Sequence, residues 1–342
     1  MIGLILLVIA TLFVWWIWEL RHRRTHRVPP GLQQSVELPF EHEFELYHNA
    51  FSLCSKKVRV CLAELEIDHG SHHVDLIETG SYENLSRVFL GVNPEGTVPV
   101  LVHQGHPVYQ SHDQIRYAAD HAPGGGPSLV PETSDQIQEM QTWVDRASLT
   151  GDDPIAETAE SAGNCVPGLT VPLFCAMIAD IPVRRILVGV LFHRLRTRPL
   201  LFLAMKIAGL RRLSGMKPAA RIIRRSVRDM NIHLDALESR LQAGGEPWIL
   251  GECFSLADVS WVVIFDRMRE ADCADLFLGD GLRPRTTAYR DRLFARSSYA
   301  KGIWNHEHPT VVRGTQRLRE AKQANPKLRA VLAGELLDSA HS

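Results

Sequence analysis

Between residues 44 and 123 the chain carries a fixed order of strand, turn and helix signals that leaves it few ways to fold. Residues 44–48, FELYH, read as a strand. After a polar turn, residues 54–67 set Val58, Cys61, Leu62 and Leu65 on one face of an amphipathic helix. Residues 72–77 read as a second strand and 82–90 as a weak helix. Val98-Pro99 opens a third strand over 98–102, which returns through Gln104-Gly105 into residues 107–110. Ser111 starts a helix over 111–121, stopped by Pro123 and three glycines. This β-α-β then β-β-α order predicts an α/β domain over residues 44–123, with helices covering a mixed sheet.

The chain has 342 residues, enough for two domains, and a formal charge of −1. That average hides an asymmetry. From residue 184 to residue 228 there are 13 Lys and Arg and no acid, and Arg21, Arg23, Arg24 and Arg27 form a second basic group with only Glu19 nearby. The six cysteines (Cys54, Cys61, Cys165, Cys175, Cys253, Cys273) include no CxxC pair. A chain of this length does not depend on a disulfide framework, so free thiols in a reducing compartment are expected.

Residues 2–18 carry no charge. As a helix they span roughly 26 Å, enough for a thin bilayer core. Trp15, Trp16 and Trp18 stand at the end of the run, where amphipathic rings favour the interface. A cleaved signal would have a charged segment before the run and small residues at its end; here the charge follows. The expectation is a retained single-pass transmembrane anchor over 1–20. A basic juxtamembrane linker over 21–43 follows it, and the positive-inside rule puts the remainder on the cytoplasmic face.

LYHNAFSLCSKKVR, NPEGTVPVL and Gln110-Ser111, in that order, resemble the amino-terminal domain of cytosolic glutathione transferases. The zeta-type and ganglioside-induced differentiation-associated subfamilies are the most similar in motif. The resemblance implies a thioredoxin-like fold and glutathione as cosubstrate. It puts Ser52 where a hydroxyl meets the glutathione sulfur, with Cys54 and Ser55 as secondary candidates. Pro99 is then a cis proline whose preceding residue, Val98, pairs its backbone with the cysteinyl part, and Gln110 with Ser111 holds the γ-glutamyl end. The physics fits each role. A thiol of pKa ~8.5 reacts as its thiolate, and a hydroxyl at a helix amino terminus stabilises charge on sulfur by hydrogen bond and dipole. Cis bonds are accessible before proline, and a helix amino terminus binds a carboxylate. The plain alternatives are an N-cap for Ser52, an edge-strand proline for Pro99 and a dipole-satisfying acid for Asp113. His48, ending its strand, reads as structural.

The second half is predicted to be all-α over residues 134–320. PWILGECFSLADVSWVVIFDRM contains Ser255-Leu256-Ala257-Asp258, a capping-box start to an apolar helix. It resembles the buried box of the transferase carboxy-terminal domain, which makes Asp258 a folding residue. RLFARSSYAKGI resembles a late helix of that domain. An insertion over about residues 153–217 alternates short apolar runs with acid-free arginine clusters. It reads either as amphipathic helices on an anionic leaflet or as a helical hairpin packed on the domain, with a polar tail over 321–342. Nucleic acid is a poor fit because aromatic interleaving is sparse. His72-His73, His103 with His106, and His306 with His308 lack the spacing of a zinc site, so no metal is expected. The leading expectation is a membrane-anchored glutathione transferase, in family terms a homodimer, that turns the thiolate on a hydrophobic electrophile. The rival is a non-catalytic, membrane-associated module of the same fold.

Overall fold

The computed structural model describes residues 2–124, 127–151, 153–193, 197–244 and 247–335. Arg194 and Arg196 of the basic run, two of the three glycines after Pro123, and residues 336–342 of the expected tail lie outside the described residues.

Helix α1 (Ile2–His22) is long and apolar enough to cross a membrane and is almost wholly exposed. Its end is tied down. The buried Glu19 carboxylate takes Arg23 at 2.9 Å and Arg87 at 2.7 Å, and the Arg87 guanidinium lies 4.0 Å over the Trp18 ring. The segment after it is not only a linker. Residues Gly31–Leu32 form a short strand, β1, which pairs antiparallel with β5 (His106–Tyr109) at the sheet edge. Two residues with no alternation carry no strand signal, so this edge was not legible.

The sheet has the order β1-β5-β4-β2-β3, with β2 (Phe44–His48) parallel to β3 (Gly70–His73) and antiparallel to β4 (Val100–His103). Helices α2 (Leu53–Glu64) and α4 (Ser111–Asp120) pack together on one side. The weak helix expected over 82–90 is instead a 3-10 turn at Glu83–Leu85 followed by α3 (Arg87–Val92). This is the thioredoxin-like arrangement, with Phe44, Leu46, Leu62, Leu101 and Ile115 in its core.

The rest is helical: α5 (Ser134–Arg146), α6 (Ala162–Met177), α7 (Val183–Phe192), α8 (Thr197–Leu213), α9 (Lys217–Gly244), α10 (Leu256–Glu270), α11 (Ala274–Leu278), α12 (Pro284–Phe294), α13 (Ser297–Gly302), α14 (Pro309–Ala324) and α15 (Pro326–Leu332). The expected insertion boundary needs correction. Helix α6 is a core helix, packed on α9, α10 and α14 with Cys165, Leu169 and Leu173 buried, although it contains Pro167 and Pro172. Helices α7 and α8 pack on each other, and α8 also packs on α6. Their inner residues Ile186, Phe202 and Met205 join Ile77, Tyr82 and Leu85 of the first domain in a second apolar cluster. The expected polar tail also begins too early, since α15 buries Leu328 and Val331.

Helix α10 opens on the capping box. Asp258 is fully buried and accepts from Ser255 N at 2.8 Å, Ile249 N at 3.1 Å and the Tyr289 hydroxyl at 2.7 Å. Burial raises its pKa, and those donors offset part of the rise. Replacing Asp258 by Ala strands four buried donors, the Ser255 hydroxyl at 3.1 Å included, whereas Ser255→Ala removes one cap acceptor. In urea unfolding of the full chain in detergent, Asp258→Ala should cost about 3 kcal/mol and Ser255→Ala about 1 kcal/mol. Equal, small losses would reduce the box to an ordinary cap.

Candidate active site

The turn between β2 and α2 is built by Asn49. Its buried Oδ1 accepts from Phe51 N at 2.9 Å and Ser52 N at 3.2 Å, while Nδ2 donates to Val74 O and Thr79 Oγ1, both at 2.9 Å. Arg59 donates to Asn49 O at 2.9 Å. Arg267 of α10 donates to Phe51 O and sets its guanidinium 3.7 Å over the Phe51 ring. So fixed, the turn delivers Ser52 to the start of α2. Its hydroxyl oxygen accepts from Ser55 N at 3.2 Å, the N-cap bond, and its proton points to Val98 O at 3.5 Å. The cap role and proximity to the proline strand therefore coexist.

The Val98–Pro99 peptide is cis. Buried Gln114 donates from Nε2 to Pro99 O at 2.9 Å and Val108 O at 2.8 Å. Asn93 donates to Thr97 O at 2.8 Å, and Asn84 donates to Gly96 O at 2.8 Å. Gln110 sits at φ 69°, ψ 125°, a region that non-glycine residues rarely occupy, just before Ser111 starts α4.

These pieces converge on one cavity of about 360 Å³. Ser52, Cys54, Val98, Pro99, Gln110 and Ser111 all line it. Ser55 does not: it is fully buried and accepts from Asn49 N at 3.2 Å. Asp113 is absent from the wall. His48 is buried too, bonded to Ser71 Oγ at 2.8 Å and Arg59 at 3.0 Å, and burial lowers its pKa to about 2, so it stays neutral. Among the described residues no group of three or more His, Cys, Asp or Glu side chains could hold a metal.

Sequence reading missed the opposite wall. Glu78 and Tyr82 line it from the loop after β3, and His193 and Arg198 line it from α7–α8. Arg198 Nη2 is 2.8 Å from Glu78 Oε1 and is the cavity's one Lys or Arg among the described residues. Tyr82 meets His193 edge-on, and burial followed by the Glu78 charge pushes its phenol up, so it is protonated. Beneath the floor, buried Lys57 donates to Ser148 Oγ at 2.9 Å. Burial lowers the Lys57 pKa, and the Cys54 sulfur opposes that drop. The Arg267 pKa behaves likewise, with Glu270 and Asp266 the larger opposing charges. Burial works against the charge of both side chains, and Arg267 reaches the head of α2 through Phe51 O. No residue spacing signals Arg198 or His193, because only the fold brings the insertion over the cavity.

Comparison with known proteins agrees with this geometry. Residues 51–121 match the glutathione S-transferase N-terminal domain and residues 223–292 the glutathione S-transferase C-terminal domain. The chain is 27% identical over 309 residues to the 2,5-dichlorohydroquinone reductive dechlorinase of Sphingobium indicum, covering 78% of this chain and 84% of the relative. It is 22% identical to the tetrachloro-p-hydroquinone reductive dehalogenase of Sphingobium chlorophenolicum, covering 75% and 94%. The crystal structure of the beta-etherase LigF from Sphingobium sp. strain SYK-6 superposes with a TM-score of 0.58 at 20% identity, over 76% of this chain and 98% of that one. Residues 51–121 and 223–292 thus match the two glutathione S-transferase domains in order, with the proline strand and helix termini facing one cavity.

Proposed function

We propose that this protein is a glutathione transferase, held to a membrane by α1 with its body on the cytoplasmic side, and that it turns the glutathione thiolate on a hydrophobic electrophile. One observation carries the reading: Ser52, Val98–Pro99 and Gln110–Ser111 share one cavity, each at the edge of a regular element. Dimerisation is common in the family, and a homodimer is the proposed state.

The roles follow from the chemistry of each group. Val98, just before β4, offers backbone groups to the cysteinyl part of glutathione. Ser111 and the first amides of α4 take the γ-glutamyl carboxylate, where the helix dipole favours negative charge. The Ser52 proton, held to Val98 O only at 3.5 Å, turns to the thiolate sulfur. Lys57 and Arg267 add positive potential from below. The thiol proton leaves to solvent, the sulfur pair forms a C–S bond, and the leaving group departs with its electron pair. Arg198 takes the second carboxylate of glutathione, exchanging with Glu78.

Cys54 supports a second reading. It lines the cavity at the second residue of α2, and the two curated relatives described above are named as a reductive dechlorinase and a reductive dehalogenase. In that chemistry the Cys54 thiolate attacks the sulfur of a glutathione thioether. The carbon takes a proton, and a Cys54–glutathione disulfide forms. A second glutathione then releases Cys54 and leaves as glutathione disulfide.

Two measurements separate these readings. Ser52→Ala should lower kcat/KM about 100-fold while glutathione binding changes little, and the bound thiol should titrate nearer ~8.5, read by thiolate absorbance. If Cys54→Ala abolishes turnover while Ser52→Ala does not, the Cys54 reading replaces the Ser52 one. Absence of binding at millimolar glutathione in the full chain leaves the non-catalytic module. For the insertion's part in the site, Arg198→Ala should raise KM for glutathione about 10-fold with kcat little changed, and Arg198→Lys should recover part of that loss. An unchanged KM would remove Arg198 from the glutathione site.

A further inference from the structure

We propose that the outer faces of α7 and α8 form a second membrane contact, seated on an anionic lipid surface beside the anchor; this rests on the reading of α1 as an anchor. The inner faces are accounted for by packing. Ile186 and Gly189 are buried, and a Cβ at Gly189 would lie 2.4 Å from the Tyr82 ring. The outer faces carry exposed apolar side chains that no described residue buries. On α7, Val183, Leu187 and Leu191 repeat every four residues as one stripe, each exposed. On α8, Leu200, Leu201 and Ile207 are exposed, Ile207 at 73%. Isolated apolar side chains on a surface need no explanation, but an aligned set on two adjoining helices does.

Charge and position name the occupant. The run from residue 184 to 228 has 13 cations and no acid. Several of these are used internally: Arg185 donates to Gly80 O, Arg198 meets Glu78 and Lys206 donates to Ala179 O. Arg184, Arg211 and Arg212 are exposed, with no ion pair among the described residues. An exposed apolar stripe flanked by such cations fits the interface of an anionic leaflet. A two-fold contact with a second copy would instead set the cation run against itself. The anchor leaves the body at the same place. Arg23, just past α1, holds its guanidinium 4.9 Å over the Phe192 ring at the end of α7. Val88, 85% exposed, neighbours the Arg87 that binds Glu19 of α1.

Full-length protein is reconstituted in nanodiscs of neutral lipid or of neutral lipid with anionic phosphatidylglycerol. Leu187→Cys, Ile207→Cys and a remote control, Val312→Cys at an exposed position of α14, are labelled with a membrane-impermeant maleimide. Labelling is read peptide by peptide by mass spectrometry, so the native cysteines do not interfere. The expected result is labelling at positions 187 and 207 at least 5-fold slower with anionic lipid, a difference that shrinks in 1 M salt, and no change at 312. Equal rates in both lipids at 187 and 207 would overturn the proposal. So would protection that requires two chains per disc, which gives the face to a second copy. Co-flotation of the full chain with vesicles is measured in parallel. Flotation with equal labelling sinks this contact alone, and failure to float sinks the anchor and this contact together.

Discussion

The ammonium of Lys56, buried where α2 meets α10, is the contact on which the rest of the arrangement depends. It lies 2.6 Å from Asp266 and 2.6 Å from Glu270, and all three side chains are almost fully buried. Taking such charges out of water costs several kcal/mol per ion, so the set persists because each charge is paired, Glu270 also with Arg267 at 3.1 Å. Asp266 also takes Arg269 at 2.8 Å and the Tyr299 hydroxyl at 2.9 Å. Burial by itself would raise the Asp266 carboxyl, but Lys56 and Arg269 hold it well below the usual carboxylate range. Removing one partner leaves an uncompensated buried charge, which makes the contact a lock between domains more than a source of net stability.

The lock repeats along α2. Arg296 grips Glu64 through two bonds of 2.6 Å, Lys57 reaches Ser148, and Arg59 donates to Gly302 O at 2.6 Å. Gly302 is needed there, because a Cβ would stand 2.8 Å from Val60 N. A helix held by charges on three of its turns cannot slide or rotate, and Ser52 is its cap. The position of the hydroxyl relative to Val98 is thus set by contacts with the helical domain some two hundred residues away in sequence. Arg267 extends the same control into the turn itself.

What could be read in advance follows from how local each signal is. The strand at Phe44–His48, helix α2, the proline strand and the Ser255–Asp258 box are written within a dozen residues each, and their periodicity or cap chemistry needs no partner to be recognised. Strand β1 exists only because β5 offers an edge to two residues. Helix α6 is apolar all round and carries two prolines, so it has no amphipathic face to distinguish a core helix from a surface one. Arg198 became part of the cavity through packing of Phe202 and Met205 against Ile77 and Tyr82, contacts more than a hundred residues apart. Ser55 illustrates the converse. A secondary candidate three residues on from Ser52, it turns its hydroxyl into the Asn49 loop instead.

The α7–α8 hairpin joins two requirements that a soluble relative would not face together. Its inner face finishes the cavity with His193 and Arg198, and its outer face presents leucines and isoleucine, flanked in sequence by exposed arginines that have no ion pair among the described residues. On the proposed membrane reading these are two sides of one device. An apolar electrophile concentrates in the bilayer, where its abundance exceeds that in water by its partition coefficient. A wall seated on the lipid surface shortens its path to the thiolate. The charged cosubstrate arrives from the aqueous side, and the polar Gln110–Ser111 end of the cavity receives it. Two reactants of opposite solubility then meet at one sulfur, and the hairpin sets where that meeting happens without altering the chemistry at Ser52.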